Sequence, residues 1–123
     1  MELIEKKTAV LITSPKSDRY SNKAVKMLIE NSVPVIPVGY RTGEVDGVEI
    51  IPGQPDIYGL HTLSIYLNPI NQEFFHDYIL KLNPKRVIFN PGTENPILQN
   101  KLDQSNIFWE EACTLVLLTT GQF

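Results

Sequence analysis

Between Leu11 and Lys23 the chain reads LITSPKSDRYSNK, an apolar run giving way to hydroxyls and cations just ahead of a segment with helical spacing. Ser14, Lys16, Ser17, Arg19 and Ser21 would there join the free N–H groups and positive dipole end of a helix, a combination that holds phosphate. The plainer reading is that Lys16 and Arg19 are solvated loop cations and Ser21 a helix cap. The stretch contains no glycine, so Ile12 and Thr13 carry side chains where a phosphate loop usually lets the backbone come close. After the next apolar run come Gly39, Tyr40 and Arg41. An arginine at that point meets a ribose phosphate, and a tyrosine offers its face to a base, although both also suit a solvated surface. Further on, Asn90-Pro91-Gly92 forces a turn in which Gly92 accepts positive φ. Thr93, Glu94 and Asn95 then set polar groups over the next helix start; turn and cap explain Gly92, Asn95 and Pro96 better than they explain Thr93 and Glu94.

Catalytic chemistry finds less support. Cys113 is the only thiol, and it has carboxylates, Glu110 and Glu111, beside it rather than the cations that sustain a thiolate nucleophile. His61 and His76 show no paired ligand spacing, and the chain has no HExxH, P-loop or GxSxG pattern. The expectation is a protein that is not an enzyme and holds no metal.

These residues need elements to position them. TAVLIT, Thr8 to Thr13, is short, apolar and β-branched, as a strand covered on both faces should be. A helix opened by Ser21 puts Val25, Leu28 and Ile29 on one face. VPVIPV, Val33 to Val38, reads as a second strand with Pro34 and Pro37 near its ends. The Gly- and Pro-rich stretch from Gly39 to His61 reads as loop with one short strand around Val48 to Ile51. TLSIYL is the next strand; Leu67, Asn68 and Pro69 turn into a helix with Phe75, Tyr78, Ile79 and Leu82 inward, stopped by Asn83-Pro84. KRVIFN is a strand, Asn95-Pro96 opens a helix with Ile97, Leu98 and Leu102 inward, and NIFWEEAC is a weaker last strand. Thr114 to Leu118 is strand or short helix. Alternating strands and helices imply βαβ units, hence an α/β, Rossmann-like three-layer domain with a mostly parallel sheet of about five strands flanked by helices. In such sheets ligands bind beyond the carboxyl ends of the strands, which selects the loops at Ser14–Ser21, Gly39–Gly43, Asn68–Asn71 and Asn90–Asn95.

Composition limits the rest. A chain of 123 residues is one domain, 1–123, able to bury roughly two-thirds of its unfolded surface. The formal charge of −3 with 20% charged residues argues against attraction to nucleic acid or anionic membrane. The N-terminus MELIEKK has no apolar signal region, and no apolar run reaches the ~18 to 20 residues of a membrane span. One cysteine and no targeting signal make the cytoplasm the expected compartment.

RYSNKAV, VPVIPVGYR, VDGVEI, YLNP, KRVIFNPGTENP and EACTLVLLTTGQF together resemble the small stand-alone CoA-binding domain family, which is similar to the N-terminal domain of the succinyl-CoA synthetase alpha subunit. The similarity runs from about Thr8 to Phe123, and nothing corresponds to the ligase domain that carries the phosphorylated histidine. It implies a non-catalytic coenzyme A, or related nucleotide, site. The phosphate loop would be Thr13 through Ser21, with Thr13, Ser14, Lys16, Arg19, Tyr20 and Ser21 as contacts. Gly39, Tyr40 and Arg41 would follow the second strand; Leu67, Asn68 and Pro69 would form the turn after the third; and Asn90, Pro91, Gly92, Thr93 and Glu94 the Asn-Pro-Gly turn. It places Ser14 and Lys16 near the pyrophosphate and Arg41 near the ribose phosphate. Where the family usually has Gly-Ala-Ser, this chain has Ile12, Thr13 and Ser14. The missing glycines and the apolar C-terminal segment also support the alternative of a degenerate domain that no longer binds CoA and serves as an interaction protein, as a homodimer or with another partner.

Overall fold

Thr8–Leu11 (β1) is buried at all four positions, as its apolar, β-branched sequence demands, and forms the middle of the sheet. The structure is a computed structural model and describes residues 2–123. Its further strands are Val35–Gly39 (β2), Gly43–Val45 (β3), Val48–Pro52 (β4), Thr62–Ile65 (β5), Arg86–Phe89 (β6) and Phe108–Glu111 (β7). They form one seven-stranded sheet in the order β3-β4-β2-β1-β5-β6-β7, parallel except for the β3–β4 pair. The expected α/β class holds.

The helices are Tyr20–Glu30 (α1), Pro69–Gln72 (α2), His76–Leu82 (α3), Pro96–Gln104 (α4) and Thr114–Thr119 (α5). Alternate strand residues feed two cores. Val10 and Ile88 pack with Val25 and Leu28 of α1 and Leu118 of α5 on one face. Ala9, Leu11, Leu63 and Phe89 pack with Phe75, Ile79, Leu98 and Leu102 on the other. Sheet and two helical layers account for the burial of every large aliphatic side chain of β1, β5 and β6.

Four details differ from the sequence expectation. The sheet has seven strands where about five were foreseen: the short strand expected around Val48 to Ile51 is β4, and β3, not foreseen, joins it because Val45-Asp46-Gly47-Val48 closes a two-residue hairpin. Asp46 and Gly47 both take positive φ, 47° and 83°, the pattern of a type I′ turn. Pro37 lies inside β2, opposite Val10, rather than near its end. Thr8 N–H and Thr13 N–H bond the carbonyls of Pro34 and Val38, so even-numbered residues of β2 face β1. Pro37 therefore faces the other side, where β4 pairs only from Val38 onward, and no ladder bond is lost. The helix foreseen after Asn68 is broken by a 3₁₀ turn at Glu73–Phe75. Ile97, expected inward, is exposed, while Leu98 and Leu102 are fully buried.

Other ends behave as their residues predict. Asn68 and Asn95 cap α2 and α4 with their side chains, each followed by proline at the first helical position. Asn83 ends α3 in the left-handed region, φ 48°, ahead of Pro84. Thr114 to Leu118, left open between strand and helix, is helical.

Candidate functional site

The chain proceeds from β1 outward to β2 and β4, then returns to the other flank of β1 for β5, β6 and β7. The strand order thus reverses between β1 and β5, and the loops leaving β1, β2, β5 and β6 gather at that end of the sheet. They enclose a groove of two lobes. The smaller, ≈ 200 Å³, is lined by Thr13, Pro15, Lys16 and Arg41 together with Ile12, Ser14, Arg19 and Tyr40. The larger, ≈ 460 Å³, shares those last four and continues along Tyr20, Ser21, Tyr66, Leu67 and Asn68 to Pro91, Gly92 and Thr93. Four shared walls make this one continuous site, of the size that takes a small organic ligand.

The loop after β1 is held by its own polar groups. Thr13 turns inward: its hydroxyl donates to Val10 O at 3.0 Å and its N–H to Val38 O at 2.6 Å. Ser14 N–H donates to Ser21 Oγ at 3.0 Å, Asn22 Nδ2 donates to Ser14 O at 2.9 Å, and Lys16 N–H donates to Ser14 Oγ at 3.1 Å. Ser21 is therefore not the cap of α1 but a residue of its first turn that braces the loop. The N-cap is Arg19, which makes no side-chain cap bond, so the N–H groups of Tyr20, Ser21 and Asn22 keep no acceptor among the described residues. Gly39 serves the packing of this loop: a Cβ there would lie 2.7 Å from both Thr13 O and Ile50 Cγ2. It brings the ends of β1 and β2 together and does not line the groove.

Electrostatics point the same way as the open helix end. The ion pairs among the described residues are Lys81–Asp56 and Arg86–Glu110, both away from the groove. Lys16, Arg19 and Arg41 line the groove with no carboxylate partner and no side-chain hydrogen bond among the described residues. Three free cations around an uncapped helix N-terminus, in a chain of net charge −3, form a local anion-binding surface.

At the far lobe the Asn-Pro-Gly turn divides its work. Asn90 is buried and fully used: Nδ2 donates to Ser64 Oγ and Ile65 O, and Oδ1 accepts from Thr114 N–H. It ties β6 to β5 and α5 and is no groove wall. Gly92 N–H, at φ 90°, donates to the Glu94 carboxylate at 2.9 Å, so Glu94 closes the turn from outside the groove. Thr93 is buried and donates its hydroxyl to Asn90 O. Pro69 lines a neighbouring depression instead. Gly39, Pro69, Asn90 and Glu94 are thus predicted site residues that the structure keeps out of the groove, while the other predicted positions meet there.

Tyr66 was missed. It lines the larger lobe because β5 ends at Ile65, two residues before the expected end at Leu67. Its Oη is buried beside the Ser64 and Thr114 hydroxyls. Burial pushes the phenol up to about 12, with the nearby Cys113 adding to the shift, so the groove meets a neutral ring at physiological pH. Ile12 and Pro15 are the other walls that no motif reading singled out as contacts. Cys113 is half-buried behind this wall, at the N-terminus of α5. His61 lies at the opposite end of β5, bonded to Thr62 Oγ1.

The CoA binding domain profile matches residues 6–119. No functionally curated protein matches the sequence. Among solved structures, an uncharacterized protein is similar to this chain with 46% identity and TM-score 0.92, over 96% of this chain and 98% of that one. A hypothetical protein from Pyrococcus horikoshii OT3 is similar at 26% identity and TM-score 0.78, over 91% and 80%. Cell-free ID.343 from Thermus thermophilus shares the fold at 21% identity and TM-score 0.83, over 96% and 90%.

Proposed function

The chain belongs to the CoA binding domain family, and from that premise we propose that it is a non-catalytic coenzyme A-binding module of the cytoplasm, with the two-lobed groove as the seat of the cofactor. One observation carries the reading: Lys16, Arg19 and Arg41 stand unpaired around the open N-terminus of α1. Coenzyme A offers a diphosphate and a ribose 3′-phosphate to such a surface. Arg41, beyond β2, would take the ribose phosphate; Lys16, Arg19 and the first-turn N–H groups would take the diphosphate. Tyr40, exposed at the rim and tilted against Phe75, gives the adenine a face. Pantetheine would run over Tyr66 and Leu67 toward Pro91 and Gly92.

Nothing in this arrangement needs the cofactor to react. Thr13, Ser14, Ser21, Asn68 and Thr93 are spent on the protein's own loops, leaving cations that bind and orient. The fitting role is holding or sensing a CoA-type ligand. Equilibrium dialysis with CoA tests it: Arg19→Ala should weaken binding by about tenfold or more, the cost of a charge-assisted hydrogen bond. Lys81→Ala, altering a cation outside the groove, should leave it unchanged. Equal effects of the two substitutions, or no binding by the wild type, would refute the reading.

A further inference from the structure

A second depression, ≈ 420 Å³, lies between the α2–α3 segment and the start of α4, with Ile70 on one side and Ile97 on the other. Ile70 and Ile97 are 80% and 68% exposed, and Phe74, one helical turn beyond Ile70, is 82% exposed. Single exposed apolar residues are ordinary, but two lining one hollow with a third on the same segment, next to the hollow-lining Glu73, make a patch. The rim carries both signs of charge: Glu73 and Asp77 on the α2–α3 side, Lys101 on the α4 side. Neither acid has an ion-pair partner among the described residues. Among the described residues Lys101 Nζ donates only to Nδ1 of His76, at 3.2 Å.

Phe74, adjacent in sequence to Glu73 of the hollow, is an exposed apolar knob on the segment that forms one side of it, and the rim is acidic on that side and basic on the other. A partner of one predominant charge would be repelled by half of it. A second copy of the chain, turned about a two-fold axis, meets each feature with its complement, because in an isologous contact residue i meets j while j meets i. We infer that the chain forms a symmetric dimer through this face, with Phe74 of each protomer seated in its partner's hollow against Ile70 and Ile97. Lys101 of each protomer then faces the partner's Glu73 and Asp77. The core of the contact is apolar and its rim charged, the usual anatomy of a stable interface. No groove cation lines this face, so the inference stands apart from the ligand reading.

Sedimentation equilibrium of the wild type, of Lys101→Glu, of the double variant Glu73→Lys with Asp77→Lys, and of Phe74→Ser tests it. The wild type should be dimeric at micromolar concentration. Phe74→Ser should raise the dimer Kd by about thirtyfold or more, as loss of a central anchor does. Each charge reversal should raise it by about tenfold, and mixing the two reversed proteins should restore a 1:1 heterodimer, because every rim contact becomes attractive again. Far-UV circular dichroism checks the fold, and Ile97→Ser replaces any variant that unfolds. A wild type monomeric at about 1 mM, a dimer indifferent to Phe74→Ser and to the reversals, or reversed proteins that do not pair on mixing would each overturn the inference.

Discussion

Arg41 extends from the loop after β2 into the smaller lobe with no carboxylate partner among the described residues, which makes it the residue whose removal should distinguish the phosphates of the proposed ligand. Arg41→Ala should lower affinity for CoA by about tenfold to a hundredfold, the worth of a charged hydrogen bond, and leave dephospho-CoA nearly unaffected, as calorimetry of the two ligands would show. Ile12 lines both lobes at their junction and packs partly on the core. Ile12→Gly should therefore tighten CoA binding while costing about 1–2 kcal/mol of stability, from lost apolar burial and glycine's added chain entropy; titration and urea unfolding of one preparation read both. At Gly39 the constraint is steric, since a Cβ would meet a backbone oxygen at 2.7 Å. Gly39→Ala should cost about 1–3 kcal/mol in the urea midpoint. Sequence reasoning found the groove's cations because residue type and loop position suffice for them. It could not separate Asn90 and Glu94, which satisfy neighbouring backbone groups, from true walls, because that depends on which way a side chain turns. Tyr66 escaped because it looked like strand interior.

The loops are only as well placed as the elements that carry them. α4 starts at Asn95, whose Oδ1 accepts from Ile97 N–H and Leu98 N–H while its Nδ2 donates to Gln72 Oε1. Gln72 in turn donates to Leu67 O and Thr93 O, so this buried pair links the turn after β5 to the turn after β6. Asn95→Ala should cost about 2 kcal/mol, the upper end for a helix cap, and should also weaken ligand binding by loosening both turns; thermal unfolding and a CoA titration check the two effects together. The cap and its proline were legible in the sequence, as were the strands and helices that alternate along the chain. The Gln72 link was not, because a glutamine on a helix surface is ordinarily solvated. Of the hairpin at Asp46-Gly47 the second strand was read and the first missed, because Gly43–Val45 is too short to show alternation, although the Asp-Gly pair is itself a hairpin signal. Pro37 was misplaced because a proline's tolerance in a strand depends on which neighbour its missing N–H would have faced.

At the scale of the whole molecule, two histidines make the fold sensitive to acid. Burial lowers His61, with Arg86 adding to it, and burial lowers His76, with Lys101 adding to it. Both imidazoles are neutral in the folded protein at neutral pH. The unfolded chain binds more protons than the folded one between these lowered values and the ordinary ~6.5, so stability should fall as pH drops through that window and level off once the folded imidazoles are protonated too. Urea midpoints at a series of pH values should show this fall, and it should be shallower in a His61→Gln, His76→Gln variant. The α/β class, the end of the sheet that forms the groove and the family were readable from the sequence, because apolar alternation and the position of loops after strands survive without coordinates. The separation of groove walls from loop braces was not. The central claim is that a groove without a phosphate-loop glycine still binds CoA. Calorimetric titration of the wild type with CoA, dephospho-CoA and NAD tests it most directly. The account predicts binding of CoA at micromolar Kd, about −8 kcal/mol, with dephospho-CoA clearly weaker and NAD weaker still; no heat from CoA at millimolar concentration, or equal affinity for all three, would contradict it.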